Sequence, residues 1–317
     1  MYPLKCIFRS LLFLLCFALI LAGLSGIFVR KSLAKPWNMS VKVNGFYNEE
    51  ENSMDVMFFG SSHMYCTVDP VLLEEQSGLK SYILATQEQP VWVSYYYMKE
   101  ALKTQSPKIM VFEVNMMVQE DEYGEESTIH SAIDPIKLSK NKVEMVYASV
   151  PPGQRRHYIF NIMKYHVRWE ELEKEDFVQD YLDERDAYRG YVRLEQVTPI
   201  EERDDLRDVT EIGQPIEKAM VYLNKIIDLA EEEGFKLILI KSPSNATVEE
   251  KQIYNAAEEL AIQRGVTYID YNMLYDELAL DLETDFYDRR HLNDKGVAKF
   301  TPYFADFLMD IMEDNVE

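Results

Sequence analysis

The sequence is short of cysteine. Only three of its 317 residues are Cys, and Cys6 and Cys16 lie near the N-terminus, which leaves Cys66 alone in the remainder. No intrachain disulfide can form within that remainder, which excludes a disulfide-stapled secreted scaffold. Metal-ligand spacings are missing as well. The five histidines include no His-x-x-x-His pair and the cysteines no Cys-x-x-Cys pair, so no metal site is expected. There is no Gly-x-Gly-x-x-Gly run and no Walker sequence, so neither a nucleotide nor any other cofactor is expected. Positive charge is scarce. Against 33 Lys and Arg stand 55 Asp and Glu, a net charge of −22. The stretch from Met1 to Lys31 holds four cations (Lys5, Arg9, Arg30, Lys31) and no acid, so the chain beyond Lys31 carries −26. A surface that acidic repels nucleic acid and anionic lipid headgroups. A body of this kind is held at a membrane, if at all, by something other than charge.

Long hydrophobic runs are few, but one is decisive. The run from Leu11 to Val29 holds no charged residue, and basic residues stand on both its flanks. A helix crossing a bilayer needs about 20 apolar residues. A signal peptide is the competing reading, with Ser32-Leu-Ala34 as a faint cleavage site, but the run is long for an h-region and basic residues crowd that site. We therefore read residues 1–31 as an uncleaved transmembrane anchor and 32–54 as a polar linker. Both flanks are basic, so charge alone does not orient the helix.

From Asp55 a βα rhythm begins. Val56 to Phe59 reads as a buried strand that ends at Gly60-Ser-Ser-His63. Asp69-Pro70 opens a short helix closed by Gly78. Tyr82 to Leu84 and Ile109 to Val114 read as strands, with the helix Val91 to Leu102 between them, and Trp92, Tyr95, Tyr96 and Tyr97 on that helix read as core. Glu113, near the end of its strand, is expected to reach solvent. From Gln119 to Gly213 the rhythm stops. This stretch reads as a mostly helical insertion, with a helix over Tyr158 to Glu173 and a solvated segment over Asp183 to Asp208. The rhythm then returns: a helix over Pro215 to Glu233, a strand over Lys236 to Ile240, a helix opened by the capping box Thr247-Val-Glu-Glu250 and closed by Gly265, a strand over Thr267 to Ile269, and a last helix capped by Asn293. Near-continuous apolar strands alternating with helices predict an α/β fold with a doubly wound parallel sheet over residues 55–317.

A serine on the turn out of a buried strand sits at the carboxyl edge of such a sheet, where α/β folds place their chemistry. It becomes a useful nucleophile when an imidazole takes its proton and a carboxylate orients that imidazole. Asp288-Arg-Arg-His291 supplies both in one turn, with Asp285 as a second carboxylate. His63, directly after the serine, is expected to pack rather than react. Tyr165-His166-Val-Arg168-Trp169 sets cations beside aromatics and is a weak candidate for substrate binding.

Gly60-Ser61-Ser62 after the first strand and Asp288-x-x-His291 before the last helix resemble the SGNH/GDSL hydrolase family. With the N-terminal hydrophobic run, they look most like its membrane-anchored branch, which includes the D-alanyl-lipoteichoic-acid protein DltD and the alginate O-acetylation proteins. The resemblance implies a flavodoxin-like three-layer fold, with Ser62 as nucleophile, His291 as base and Asp288 as its orienter. It also implies oxyanion donors from a glycine after the second strand and an asparagine after the third. Asn115 stands at the second place. At the first, the loop reads Ala85-Thr-Gln-Glu-Gln89, so Gln87 or Gln89 is the candidate substitute. The resemblance further implies an extracytoplasmic body, a cell-envelope polysaccharide or teichoic-acid-like substrate, and a membrane-bound acyltransferase as partner. The altered first block and the missing glycine leave open a non-catalytic scaffold of an envelope-modification complex.

Overall fold

The computed structural model describes residues 2–29, 39–177 and 185–314. Helix α1, Tyr2–Phe28, comes first. Its stretch Leu4–Phe28 is long and apolar enough to cross a membrane, and the side chains of that stretch are not buried by the protein. Helix α2, Met39–Tyr47, follows. It corrects the linker expectation for 32–54. Met39, Val43 and Phe46 recur at helical spacing and are buried in the core, and Lys42 donates to the Tyr191 carbonyl at 2.7 Å. Residues 32–38 lie outside the described residues.

Strand β1, Val56–Phe59, ends in a one-turn helix α3, Ser62–Tyr65. Helix α4, Pro70–Ser77, is capped as expected: the Asp69 carboxylate accepts from the Val71 and Leu72 backbone N–H groups, and Gly78 closes the helix. Strand β2, Ser81–Ile83, helix α5, Val91–Ala101, and strand β3, Ile109–Glu113, complete the first half. Helices α6, Glu126–Ile133, α7, Lys140–Ser149, α8, Arg155–Ile159, α9, Asn161–Tyr165, and α10, Lys174–Phe177, fill the insertion. The single helix expected over 158–173 is in fact α8 and α9 followed by a 3₁₀ turn, His166–Glu170. Helix α11, Glu217–Glu233, strand β4, Lys236–Lys241, helix α12, Val248–Arg264, strand β5, Thr267–Asp270, and helix α13, Asp294–Asp314, restore the rhythm.

The five strands form one parallel sheet in the order β2-β1-β3-β4-β5. Each strand splits its side chains between two cores. Met57, Phe59, Met110, Phe112 and Leu239 face one layer with α5, α11 and α12. Val56, Phe58, Ile109, Val111 and Ile240 face the other with α4 and α13. Burial on both faces explains the near-continuous apolar runs.

The insertion is helical only in its first part. Between 185 and 213 the described backbone forms neither helix nor strand. Nor is it a solvated segment, as the charge pattern predicted: Tyr191, Val192, Leu194 and Ile200 are buried. Their backbone is tied to neighbouring loops, with Val192 N–H donating to the Tyr65 carbonyl at 2.8 Å and Ile200 N–H to Leu282 at 2.9 Å. Those contacts lack a period, so spacing could not reveal them.

Candidate active site

Strand β1 has β2 on one side and β3 on the other, so the chain reverses its direction of winding between β1 and β3. The carboxyl ends of two such strands form the crevice where α/β sheets bind ligands. Ser62 follows β1 and Asn115 follows β3, and both line one cavity of about 610 Å³ with His291 and Gln87.

Gly60 makes the turn out of β1. Its φ is +146°, and a Cβ there would come within 2.9 Å of the Glu113 Cβ. Only glycine lets the ends of β1 and β3 come this close. The chain then enters α3, with Ser62 as its first residue.

His291 is held on a different device. Phe286 and Leu292 bridge antiparallel, Tyr287 N–H donates to the His291 carbonyl at 2.9 Å, and Asn245 N–H donates to the Arg289 carbonyl at 2.8 Å. Within this clamp Asp288 Oδ1 accepts from the backbone N–H groups of Arg290 at 2.7 Å and His291 at 2.9 Å. An aspartate that bonds its own following backbone fixes a turn. The same carboxylate lies 3.0 Å from His291 Nδ1, and His291 Nε2 lies 2.8 Å from Ser62 Oγ. The row therefore carries its ring proton on Nδ1, donated to Asp288, and leaves Nε2 to accept from the serine hydroxyl. Burial works to raise the Asp288 pKa. The His291 hydrogen bond and charge, with the two backbone N–H groups, outweigh it and hold the carboxyl below its ordinary 3.8. Asp285 is not the orienting carboxylate. It is buried, ion-paired with Lys299, and accepts from Asp281 N–H at 2.8 Å.

Asn115 is buried, and its Oδ1 accepts from the Tyr254 hydroxyl at 2.9 Å. That bond turns the amide so that Nδ2, the donor end, is left for the cavity. Gln87 is an exposed loop residue on the cavity rim, next to Glu88 at φ +44°. Gln89 is spent inside the fold, where it accepts from Thr86 and donates to Ser94 at 2.9 Å each. His166 and Arg168 do not line the Ser62 cavity. His166 is exposed, and Arg168 donates to the Phe28 carbonyl at 2.6 Å, at the end of α1. The structure thus brings Ser62, His291, Asp288, Asn115 and Gln87 together and sets the other two apart.

Behind the row lies a cluster that the sequence did not reveal. Glu113 does not reach solvent, because β3 is flanked by β1 and β4. It is fully buried 3.4 Å from Lys241 Nζ, and it accepts from Asn115 N–H at 3.1 Å and Ser242 Oγ at 3.1 Å. Lys241 Nζ also lies 3.3 Å from His63 Nδ1, and the His63 ring stacks at a tilt 5.2 Å from that of His291. A lysine can only donate, so neutral His63 carries its proton on Nε2. Burial, reinforced by the charges of Lys241, His291 and Arg290, holds the His63 pKa well below 6.5. The available signal was one charged residue at the carboxyl end of each of two apolar strands.

The fold and site together define a class: a three-layer α/β protein with a serine-histidine-aspartate row at the switch point of its sheet. No protein-family model and no curated protein matches the chain. Among solved structures it is similar to one described as a lipolytic protein of the G-D-S-L family from Desulfitobacterium hafniense. The identity there is 10%, covering 80% of this chain and 99% of that one, at a TM-score of 0.39. It is also similar to one described as an acylhydrolase from Bacteroides fragilis, at 9% identity over 91% and 100% of the two chains, with a TM-score of 0.39. An acetyl xylan esterase from the rumen bacterium Butyrivibrio proteoclasticus shares 9% identity over 84% and 66%, with a TM-score of 0.33. Likeness this distant assigns no activity, and the functional reading rests on the site itself.

Proposed function

We propose that the protein is a membrane-anchored serine esterase or O-acyltransferase that works through an acyl-serine. The observation that carries this reading is the continuous row Ser62 Oγ–His291 Nε2 at 2.8 Å and His291 Nδ1–Asp288 at 3.0 Å, opening on a cavity. In the reaction, Ser62 Oγ attacks the ester carbonyl carbon while His291 takes the hydroxyl proton. The tetrahedral oxyanion is met by Ser62 N–H and Asn115 Nδ2, with Gln87 within the same cavity. As the ester bond breaks, His291 returns its proton to the leaving alcohol and Ser62 keeps the acyl group. A water or an acceptor hydroxyl then gives its proton to His291 and takes the acyl group, and His291 passes that proton to the leaving Ser62 Oγ, which restores the row. Water makes the protein an esterase, and a glycan hydroxyl makes it a transferase.

Helix α1 serves as the anchor, with the body outside the cell. The acceptor is a cell-envelope polysaccharide or teichoic-acid-like polymer, and a membrane-bound acyltransferase supplies the acyl group. The complete row favours this reading over the scaffold alternative, which has no use for an aligned base. Incubation with p-nitrophenyl acetate followed by peptide mass spectrometry tests it. The expected result is an acetyl group on the Ser62 peptide that is lost in His291→Ala. An unmodified Ser62 peptide together with no release of p-nitrophenol by the folded wild type contradicts it.

A further inference from the structure

The insertion packs against α1 itself, through α9, α10 and the 3₁₀ turn. An apolar groove of about 520 Å³ lies between them, with Ala18, Ala22 and Val29 on the helix side and Leu138, Phe160 and Ile162 on the body side. This contact covers Ala18 to Val29, at the end of α1, which at 1.5 Å per residue is about 18 Å. The uncharged run extends only from Leu11 to Val29. A bilayer needs about 20 apolar residues, so a span made of this uncharged run leaves none of it outside. The part of the body packed on Ala18–Val29 then lies at the depth of the nearer leaflet.

The side chains at that place suit such a position. Phe160, Val167 and Trp169 are 54%, 64% and 65% exposed, and Leu138, Met163 and Phe177 stand exposed beside them. Charge supports the same placement independently. In a chain that carries −26 beyond Lys31, the segment 145–169 contains no acid and four cations: Arg155, Arg156, Lys164 and Arg168. Of these, Lys164 pairs with Asp134 and Arg168 with Asp176, while Arg156 stands exposed; a segment free of acids beside exposed aromatics suits the boundary between headgroups and acyl chains.

We infer that the insertion is a membrane-seated platform: residues 138 and 159–169 dip into the leaflet nearest the body. This inference rests on the anchoring reading above and goes beyond it. The body does not swing on a tether. It is fixed on the bilayer, and its site stays close to membrane-borne polymer.

The test uses the full-length protein in phosphatidylethanolamine–phosphatidylglycerol vesicles that contain a lipid with a photoreactive diazirine in its acyl chain. Irradiation and peptide mass spectrometry then map the adducts. The expected result is adducts on α1 and on residues 159–169, the latter reduced at least about fivefold in Phe160→Glu/Trp169→Glu while those on α1 persist. Adducts confined to α1 overturn the platform and leave the anchor standing. Adducts on neither segment show that α1 is not in the bilayer, and the anchor and the platform fail together.

Discussion

In the proposed reaction Ser62, His291 and Asp288 act as a unit, so their removal is not additive. Ser62→Ala and His291→Ala are each expected to lower kcat/KM by about 10⁴–10⁶-fold, and the double variant by little more. Esterase assays on the two single variants and the double check this. Asn115→Ala removes one oxyanion donor and is expected to lower kcat by about 10²–10³-fold with little change in KM.

His63 makes a different prediction at the same scale. Its folded-state pKa lies well below the ordinary 6.5, so the unfolded chain binds a proton there that the native protein does not. The stability this contributes is complete above 6.5 and is lost as pH falls through 6.5 towards the folded-state value. One proton gives a slope of about 1.4 kcal/mol per pH unit. Urea midpoints followed from pH 7 downward are expected to show that slope in the wild type and a shallower one in His63→Asn. Parallel curves would remove His63 from the account. The neighbouring pair is tested by deletion. Glu113→Ala strands Lys241 fully buried and is expected to cost about 3–5 kcal/mol in urea unfolding.

The elements differ in how far the sequence revealed them. Strand β1 and helices α4 and α12 were legible almost to the residue, because their signals are local: an apolar run, a cap at each end and a glycine beyond. The Asp288–His291 turn was legible for the same reason, since both its partners lie within one turn of chain. Helix α2 was missed although Met39, Val43 and Phe46 carry helical spacing, because polar neighbours dilute so short a pattern. The Glu113–Lys241 pair depends on the register of two strands far apart in sequence, which no local window shows. The turn at Gly60 belongs to this scale. Gly60→Ala is expected to destabilise the fold by about 1–3 kcal/mol, since it combines a left-handed φ with a clash against Glu113. Because the turn carries the nucleophile two residues on, esterase activity is expected to fall even in the folded fraction, and a thermal melt beside an active-site titration separates the two effects.

For the molecule as a whole, the proposed anchor and the acidic body divide the work of localisation. A body at −26 gains nothing overall from an anionic membrane, and the proposal assigns the attachment to the apolar α1. Membranes washed with 1 M salt, where the Debye length is about 3 Å, are expected to keep the protein in the pellet, whereas detergent releases it. Release by salt alone would assign the attachment to charge instead.

The central claim is that Ser62 is activated by His291. The most direct measurement is labelling of the full-length protein in detergent with a fluorophosphonate probe, beside Ser62→Ala and His291→Ala. The account predicts a labelled wild type and two unlabelled variants, with the adduct on the Ser62 peptide. A folded wild type that takes no label, or a label that survives Ser62→Ala, would contradict it.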